Sequence, residues 1–124
     1  VLAATVEMMM AKGAERQHIK AVIGPAIQQK NYEVGEELRS LVINTHPDAR
    51  TLFIPRKEKK YLFNLPGFVE MRLHAAGIQR VYNLNIDTYD ESSGLFSHRR
   101  ATGAALTDSG RQISVIGILC AESS

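Results

Sequence analysis

The densest group of residues able to do chemistry is Ser97-His98-Arg99-Arg100, followed after a glycine-bounded stretch by Arg111. A guanidinium is planar, permanently charged and forked, which suits a phosphate or a carboxylate. A second candidate is Gly24-Pro25, where a glycine after an apolar run lets a ligand approach the backbone. Both have plainer readings: the arginines form surface ion pairs with Asp87, Asp90, Glu91 or Asp108, and Gly-Pro is a turn. His98 is the one histidine beside other such residues. His18, His46 and His74 are scattered, and no histidine lies three or four residues from another or from Cys120, so no metal-ligand spacing can be read. Cys120 has no neighbouring histidine or helix start to activate it and reads as an inert thiol. There is no serine-centred nucleophile elbow and no phosphate-binding glycine loop.

The stretch Leu95–Leu119 reads as two strands joined by a polar loop between Gly103 and Gly110. Ile113, Val115, Gly117 and Leu119 alternate with Gln112, Ser114, Ile116 and Ile118, as in a strand covered on both faces. Neighbouring strand residues point to opposite faces, so only one of Arg99 and Arg100 shares a face with Arg111. Ahead of it, Leu2–Lys12 is helical in pattern, with Gly13 placed to end it and three consecutive methionines expected to fill gaps in the core. His18–Ile23 reads as a buried strand ending at Gly24-Pro25, and Tyr32–Val34 as a short extended piece. Glu36–Asn44 is a helix striped by Leu38, Leu41 and Val42 and stopped by Pro47. Arg50–Ile54 and Lys60–Phe63 look extended, with Pro55–Lys59 an exposed charged turn between them. Asn64 caps a helix that admits Pro66 in its first turn, buries Leu65, Phe68, Val69, Leu73 and Ala76, and ends at Gly77. Ile78–Ile86 is a further strand. The class is α+β: a mixed, largely antiparallel sheet with about three helices.

A chain of 124 residues makes one domain, 1–124, or a part of one. Fifteen basic residues against 13 acidic ones give +2, too even a balance to call for nucleic acid or an anionic membrane. No apolar run approaches the roughly 18 residues of a membrane span, and a single cysteine forms no internal disulfide, so a cytoplasmic location is expected. The first helix lacks a capping Ser, Thr, Asp or Asn, as if the chain starts inside it, which suggests a fragment.

In order along the chain stand Gly24-Pro25-Ala26-Ile27, Tyr32-Glu33-Val34-Gly35, Asn64-Leu65-Pro66-Gly67, Asp87-Thr88-Tyr89, Phe96-Ser97-His98-Arg99-Arg100 and Gly110-Arg111-Gln112-Ile113-Ser114. This set resembles the carboxy-terminal half of the laccase-domain proteins, once called multicopper polyphenol oxidases and since described as purine nucleoside phosphorylases with adenosine deaminase activity. The resemblance implies half of a larger laccase-domain fold, with purine nucleoside and phosphate as partners. It implies zinc, bound by two histidines and a cysteine on motifs amino-terminal to the region matched, the last of them His-Ala-Gly-Trp-Arg-Gly. None of those motifs is present here, so the zinc ligands are expected outside this chain and the chain alone is expected to be inactive. Within that picture Gly24 and Pro25 lie close to substrate, and Ser97, His98, Arg99, Arg100 and Arg111 are candidates for the substrate pocket. The missing amino-terminal half or a homo-oligomer is a further expected partner. The competing reading is a non-catalytic module that keeps this half of the fold and holds an anion or a partner.

Overall fold

The computed structural model describes residues 1–104, 110, 113 and 115–117. Helix α1 (Leu2–Ala11) ends as its sequence requires: Gly13 takes φ 104°, and the N–H groups of Gly13 and Ala14 reach back to the carbonyls of Met10 and Met9. Strand β1 (Lys20–Ile23) leads to the Gly24-Pro25 loop, and β2 (Glu33–Gly35) runs directly into α2 (Glu36–Thr45). After β3 (Phe53–Pro55) and β4 (Lys60–Phe63) comes α3 (Leu65–Ala75), then β5 (Arg80–Asn83) and the short α4 (His98–Gly103). Asn64 caps α3, its Oδ1 accepting the N–H of Gly67 at 3.0 Å. Gly77 closes that helix at φ 89°, while the N–H of Ile78 bonds the Leu73 carbonyl and its side chain becomes wholly buried.

The strands form two small sheets. β1 and β5 pair in parallel, Val22 opposite Tyr82, and β2-β4-β3 is antiparallel. Each sheet has its own core. Val6, Ile19, Ile23, Leu73 and Ile78 fill the space between the parallel pair and helices α1 and α3. Val34, Phe53 and Phe63 fill the other, joined by Tyr32, Leu38, Val42 and Phe68. The rings of Phe53 and Phe63 stack at 4.4 Å between centroids. Helix α3 joins the two cores, giving Leu65 and Phe68 to the second and Val69, Leu73 and Ala76 to the first. The architecture is α+β with mixed pairing, as expected.

Five sequence expectations change. His18–Ile23 is a strand only over Lys20–Ile23, because Arg16–His18 closes a 3-10 turn, and within that strand only Ile23 is buried. Leu95–Ala101 is not a strand: a turn of 3-10 helix at Glu91–Ser93 precedes α4, which Ser97 caps. The Ser97 Oγ takes the N–H of Arg100 at 3.2 Å, and such local bonds outcompete an extended backbone. Arg50–Ile54 is extended only from Phe53, because Pro47 opens a 3-10 turn that lasts to Leu52. Ile78–Ile86 is a strand only over Arg80–Asn83, and Asn85 follows at φ 56°. The methionines are not core: Met8, Met9 and Met10 are exposed, and α1 buries only Val6. Most of the expected final strand, Gln112–Leu119, with Arg111 before it and Cys120 after it, lies outside the described residues.

Candidate functional site

Parallel strands end on the same side of their sheet, so the loops that follow β1 and β5 must meet. They meet at Ala26 and Asp87, which form a parallel bridge beyond the strand ends. The Ala26 N–H bonds the Ile86 carbonyl at 3.0 Å, and the Thr88 N–H bonds the Ala26 carbonyl at 3.2 Å. The Asp87 carboxylate closes the junction. Its Oδ1 accepts the N–H groups of Gln28 at 3.3 Å and Tyr89 at 2.9 Å, while Oδ2 accepts the Asn31 side-chain amide at 2.6 Å. The Gln28 amide adds a bond to the Ala26 carbonyl at 3.0 Å. Gly24 and Pro25 therefore sit at the neck of a loop whose far end is tied to residues 87–89.

Helix α4 supplies the second tie. Arg100 turns back over the preceding loop: Nη1 donates to the carbonyls of Thr88 at 3.0 Å and Tyr89 at 3.1 Å, and Nη2 to that of Leu95 at 2.8 Å. Arg99, next along the helix, leaves in another direction. Its Nη1 donates to the Glu33 carbonyl at 3.0 Å, and its guanidinium carbon lies 5.2 Å from the centre of the Tyr32 ring. The two arginines thus hold opposite ends of one loop cluster. Ser97 is buried and acts as the cap of α4, while His98 is exposed. Arg100 spends its donors on backbone carbonyls, whereas Arg99 makes a single hydrogen bond among the described residues and has donors left to offer.

The expected ion pairs of these arginines are not found among the described residues, where no carboxylate lies within 4.0 Å of either guanidinium. Asp90 is nevertheless near the cluster. The N–H and hydroxyl of Ser92 hold its carboxyl below the usual range, and the charges of Lys30 and Arg100 add to that. A separate constellation sits at the start of α2, where Glu36 accepts the Tyr61 hydroxyl, the Ser40 hydroxyl at 3.1 Å and Arg39 Nη1 at 3.3 Å. The Tyr61 bond is the chief reason that the Glu36 carboxyl is lowered, and the same bond raises the Tyr61 phenol.

The charged turn after β3 stays at the surface. Arg56, Lys57 and Lys60 line an open groove of about 750 Å³ together with Glu33, Pro55 and Glu58. Arg99 reaches the rim of this groove through the Glu33 carbonyl. Among the described residues no three His, Cys, Asp or Glu side chains converge in a way that fits a metal ion. Sequence reasoning passed over Asp87, Asn31 and Tyr32 as site-building residues. The parallel pairing of β1 and β5 gives Asp87 and Asn31 that role, Arg99 gives it to Tyr32, and the strand patterns carry no sign of which strands pair.

The sequence profile of the family described as multi-copper polyphenol oxidoreductase laccase matches residues 1–119. A purine nucleoside phosphorylase of Rickettsia prowazekii is 36% identical over 102 residues, covering 82% of this chain and 42% of that protein. One of Haemophilus influenzae is 35% identical over 118 residues, covering 94% of this chain and 45% of that protein. The crystal structure of the Bacillus licheniformis hypothetical protein YfiH superposes with a TM-score of 0.73 at 31% identity, over 82% of this chain and 40% of that one. The chain thus spans less than half the length of the relatives it matches.

Proposed function

The chain belongs to the multi-copper polyphenol oxidoreductase laccase family, and on that premise we propose that it forms part of a zinc-dependent purine nucleoside phosphorylase with adenosine deaminase activity, acting in the cytoplasm. The relatives named purine nucleoside phosphorylase support the first activity. The observation that carries the local role is the loop cluster itself: Gly24-Pro25, the Asp87–Tyr89 turn and α4 are fastened together where both parallel strands end, a place at which substrates are commonly held. We assign the zinc ligands to residues outside this chain; among the described residues no three His, Cys, Asp or Glu side chains converge on a metal site.

In this reading inosine and phosphate exchange groups: the C1′–N9 bond of the nucleoside breaks, a phosphate oxygen bonds C1′, and the purine leaves with a proton. The part of this chain is to bind and orient. Gly24 and Pro25 line the nucleoside, and Ser97 and His98 stand at the same wall. Arg99 meets phosphate charge with its remaining donors, together with Arg111, while Arg100 is a positioning residue. The test is conversion of inosine and phosphate to hypoxanthine and ribose 1-phosphate by a protein that joins this chain to the portion carrying the zinc ligands. Arg99→Ala and Arg111→Ala should each weaken phosphate use by about 1.5–3 kcal/mol, the worth of a charged hydrogen bond. Deamination of adenosine, which uses water, should change less. Phosphorolysis unchanged by both variants across a range of phosphate concentrations would overturn the phosphate assignment. No turnover by the joined protein would instead favour a non-catalytic binding module that holds an anion or a partner.

A further inference from the structure

The turn that joins β3 to β4 carries Arg56-Lys57-Glu58-Lys59, and Lys60 follows at the start of β4; all five are exposed. A run of this kind ordinarily pairs its own charges or points them separately into water. Here Arg56, Lys57, Glu58 and Lys60 line one open groove of about 750 Å³, together with Pro55 and with Glu33 from the neighbouring strand β2. That volume falls within the roughly 300–1,000 Å³ of small-molecule sites. The Arg56 N–H closes the turn on the Lys60 carbonyl at 2.7 Å. Glu58 and Lys59 stand at φ 58° and 55°, in the left-handed region, where a relaxed hairpin carries asparagine and glycine. Lys60 Nζ lies back over β2, 3.9 Å from where a Cβ on Gly35 would stand. Three cations and two carboxylates thus share one groove. Yet among the described residues none of these cations is within 4.0 Å of a carboxylate, so their donors are not spent on ion pairs.

We propose that this groove binds a phosphorylated sugar. Arg56, Lys57 and Lys60 donate to the phosphate, and the carboxylates of Glu33 and Glu58 accept the sugar hydroxyls. The mixture of signs points to this class. A bare anion meets the same cations but is repelled by both carboxylates, and an amine meets the reverse. A phosphate joined to a polyol gives each group of the groove a partner of the right kind. Free sugar phosphates and nucleoside monophosphates share that chemistry. Arg99 bonds the Glu33 carbonyl, so the groove adjoins the loop cluster without using its Asp87 junction. The proposal stands on the groove's own residues and not on the phosphorylase reading, so binding and turnover fail separately.

Ribose 5-phosphate is titrated calorimetrically into the 124-residue chain at low salt, with inorganic phosphate, ribose and adenosine 5′-monophosphate as comparisons. Ribose 5-phosphate should bind about tenfold more tightly than phosphate or ribose. Arg56→Ala and Lys57→Ala should each weaken it about fivefold, while Lys12→Ala, at an exposed lysine just past α1, should leave it unchanged. Glu58→Gln separates a sugar-phosphate site from a merely basic one: it should bind phosphate more tightly and lose most of the preference for the sugar. Tighter binding of the nucleotide than of ribose 5-phosphate upholds the proposal and makes a nucleotide the source of the sugar phosphate; weaker binding upholds it with a free sugar phosphate as the source. Should a variant fail to fold, the amide resonances of the unaltered chain decide: those of Glu33 and of residues 56–60 should shift with ribose 5-phosphate, and those of α1 should not. Phosphate bound as tightly as ribose 5-phosphate, a preference that survives Glu58→Gln, or shifts confined to other residues overturns the proposal. So does a ribo-oligonucleotide bound more tightly than the mononucleotide, because the groove then serves a polymer.

Discussion

Replacing Arg100 should damage the fold far more than replacing its neighbour Arg99, although sequence offers no way to rank them. The Arg100 guanidinium makes three bonds to carbonyls, those of Thr88, Tyr89 and Leu95, at 2.8–3.1 Å. A hydrogen bond from a charged donor is worth about 1.5–3 kcal/mol. Arg100 is only half-buried, so water replaces part of each bond, and about 2–4 kcal/mol in total is the expected loss for Arg100→Ala. For a chain of this size that lowers the melting temperature by roughly 6–15 °C. Arg99 is exposed and makes one bond and one ring contact among the described residues, so Arg99→Ala should cost about 0.5–1 kcal/mol. Arg100→Lys keeps the charge but loses the fork, and should fall between the two. Thermal unfolding followed by circular dichroism measures all three, and protease nicking between residues 84 and 97 reports whether the loop has come loose. Equal melting temperatures for the two alanine variants would refute the idea that Arg100 clamps the loop.

Asp87→Asn retains one acceptor but turns an amide donor towards Asn31, and should lower the urea midpoint by the equivalent of about 1–2 kcal/mol. An unchanged midpoint would remove Asp87 from the junction. Gly77→Ala forces a side chain onto a backbone at φ 89° and brings its Cβ to 2.3 Å from Arg16 Cδ, so it should destabilise by about 1–2 kcal/mol, while Gly103→Ala, with open space around it, should not. Asp90 and Glu36 are lowered in the folded protein, so their contribution is present above the ordinary carboxylate range and is lost as pH falls through the folded values. Tyr61 is raised, so its contribution is present below the ordinary phenol value and is lost as pH rises through the folded one. Denaturation from acid to alkaline pH should therefore show Asp90→Asn flattening only the acid limb, and Tyr61→Phe flattening the alkaline limb together with the part of the acid limb that Glu36 supplies, since the same bond lowers Glu36. A variant that alters neither limb counts against the corresponding bond.

Features set by neighbours in the chain were legible in the residues themselves. The stops at Gly13 and Gly77, the Asn64 cap with Pro66 behind it, and the strand patterns of Lys60–Phe63 and of the stretch ending at Ile23 all depend on bonds or periodicities that span a few residues. The order of short motifs along the chain likewise carried the family. What sequence alone could not settle is whatever depends on a distant partner. Periodicity told which side of α1 is apolar but not that little would be there to cover its methionines. Ser97–Arg100 reads as well for a strand as for a helix until the carbonyls of Thr88 and Tyr89 are held where a guanidinium can reach them, and that position is fixed by the pairing of β1 with β5. The same pairing makes Asp87 a fastening point, and the Glu33 carbonyl and the Tyr32 ring draw Arg99 away from Arg100, because a side chain acquires its role from the groups that folding brings to it, and those groups lie far away along the chain.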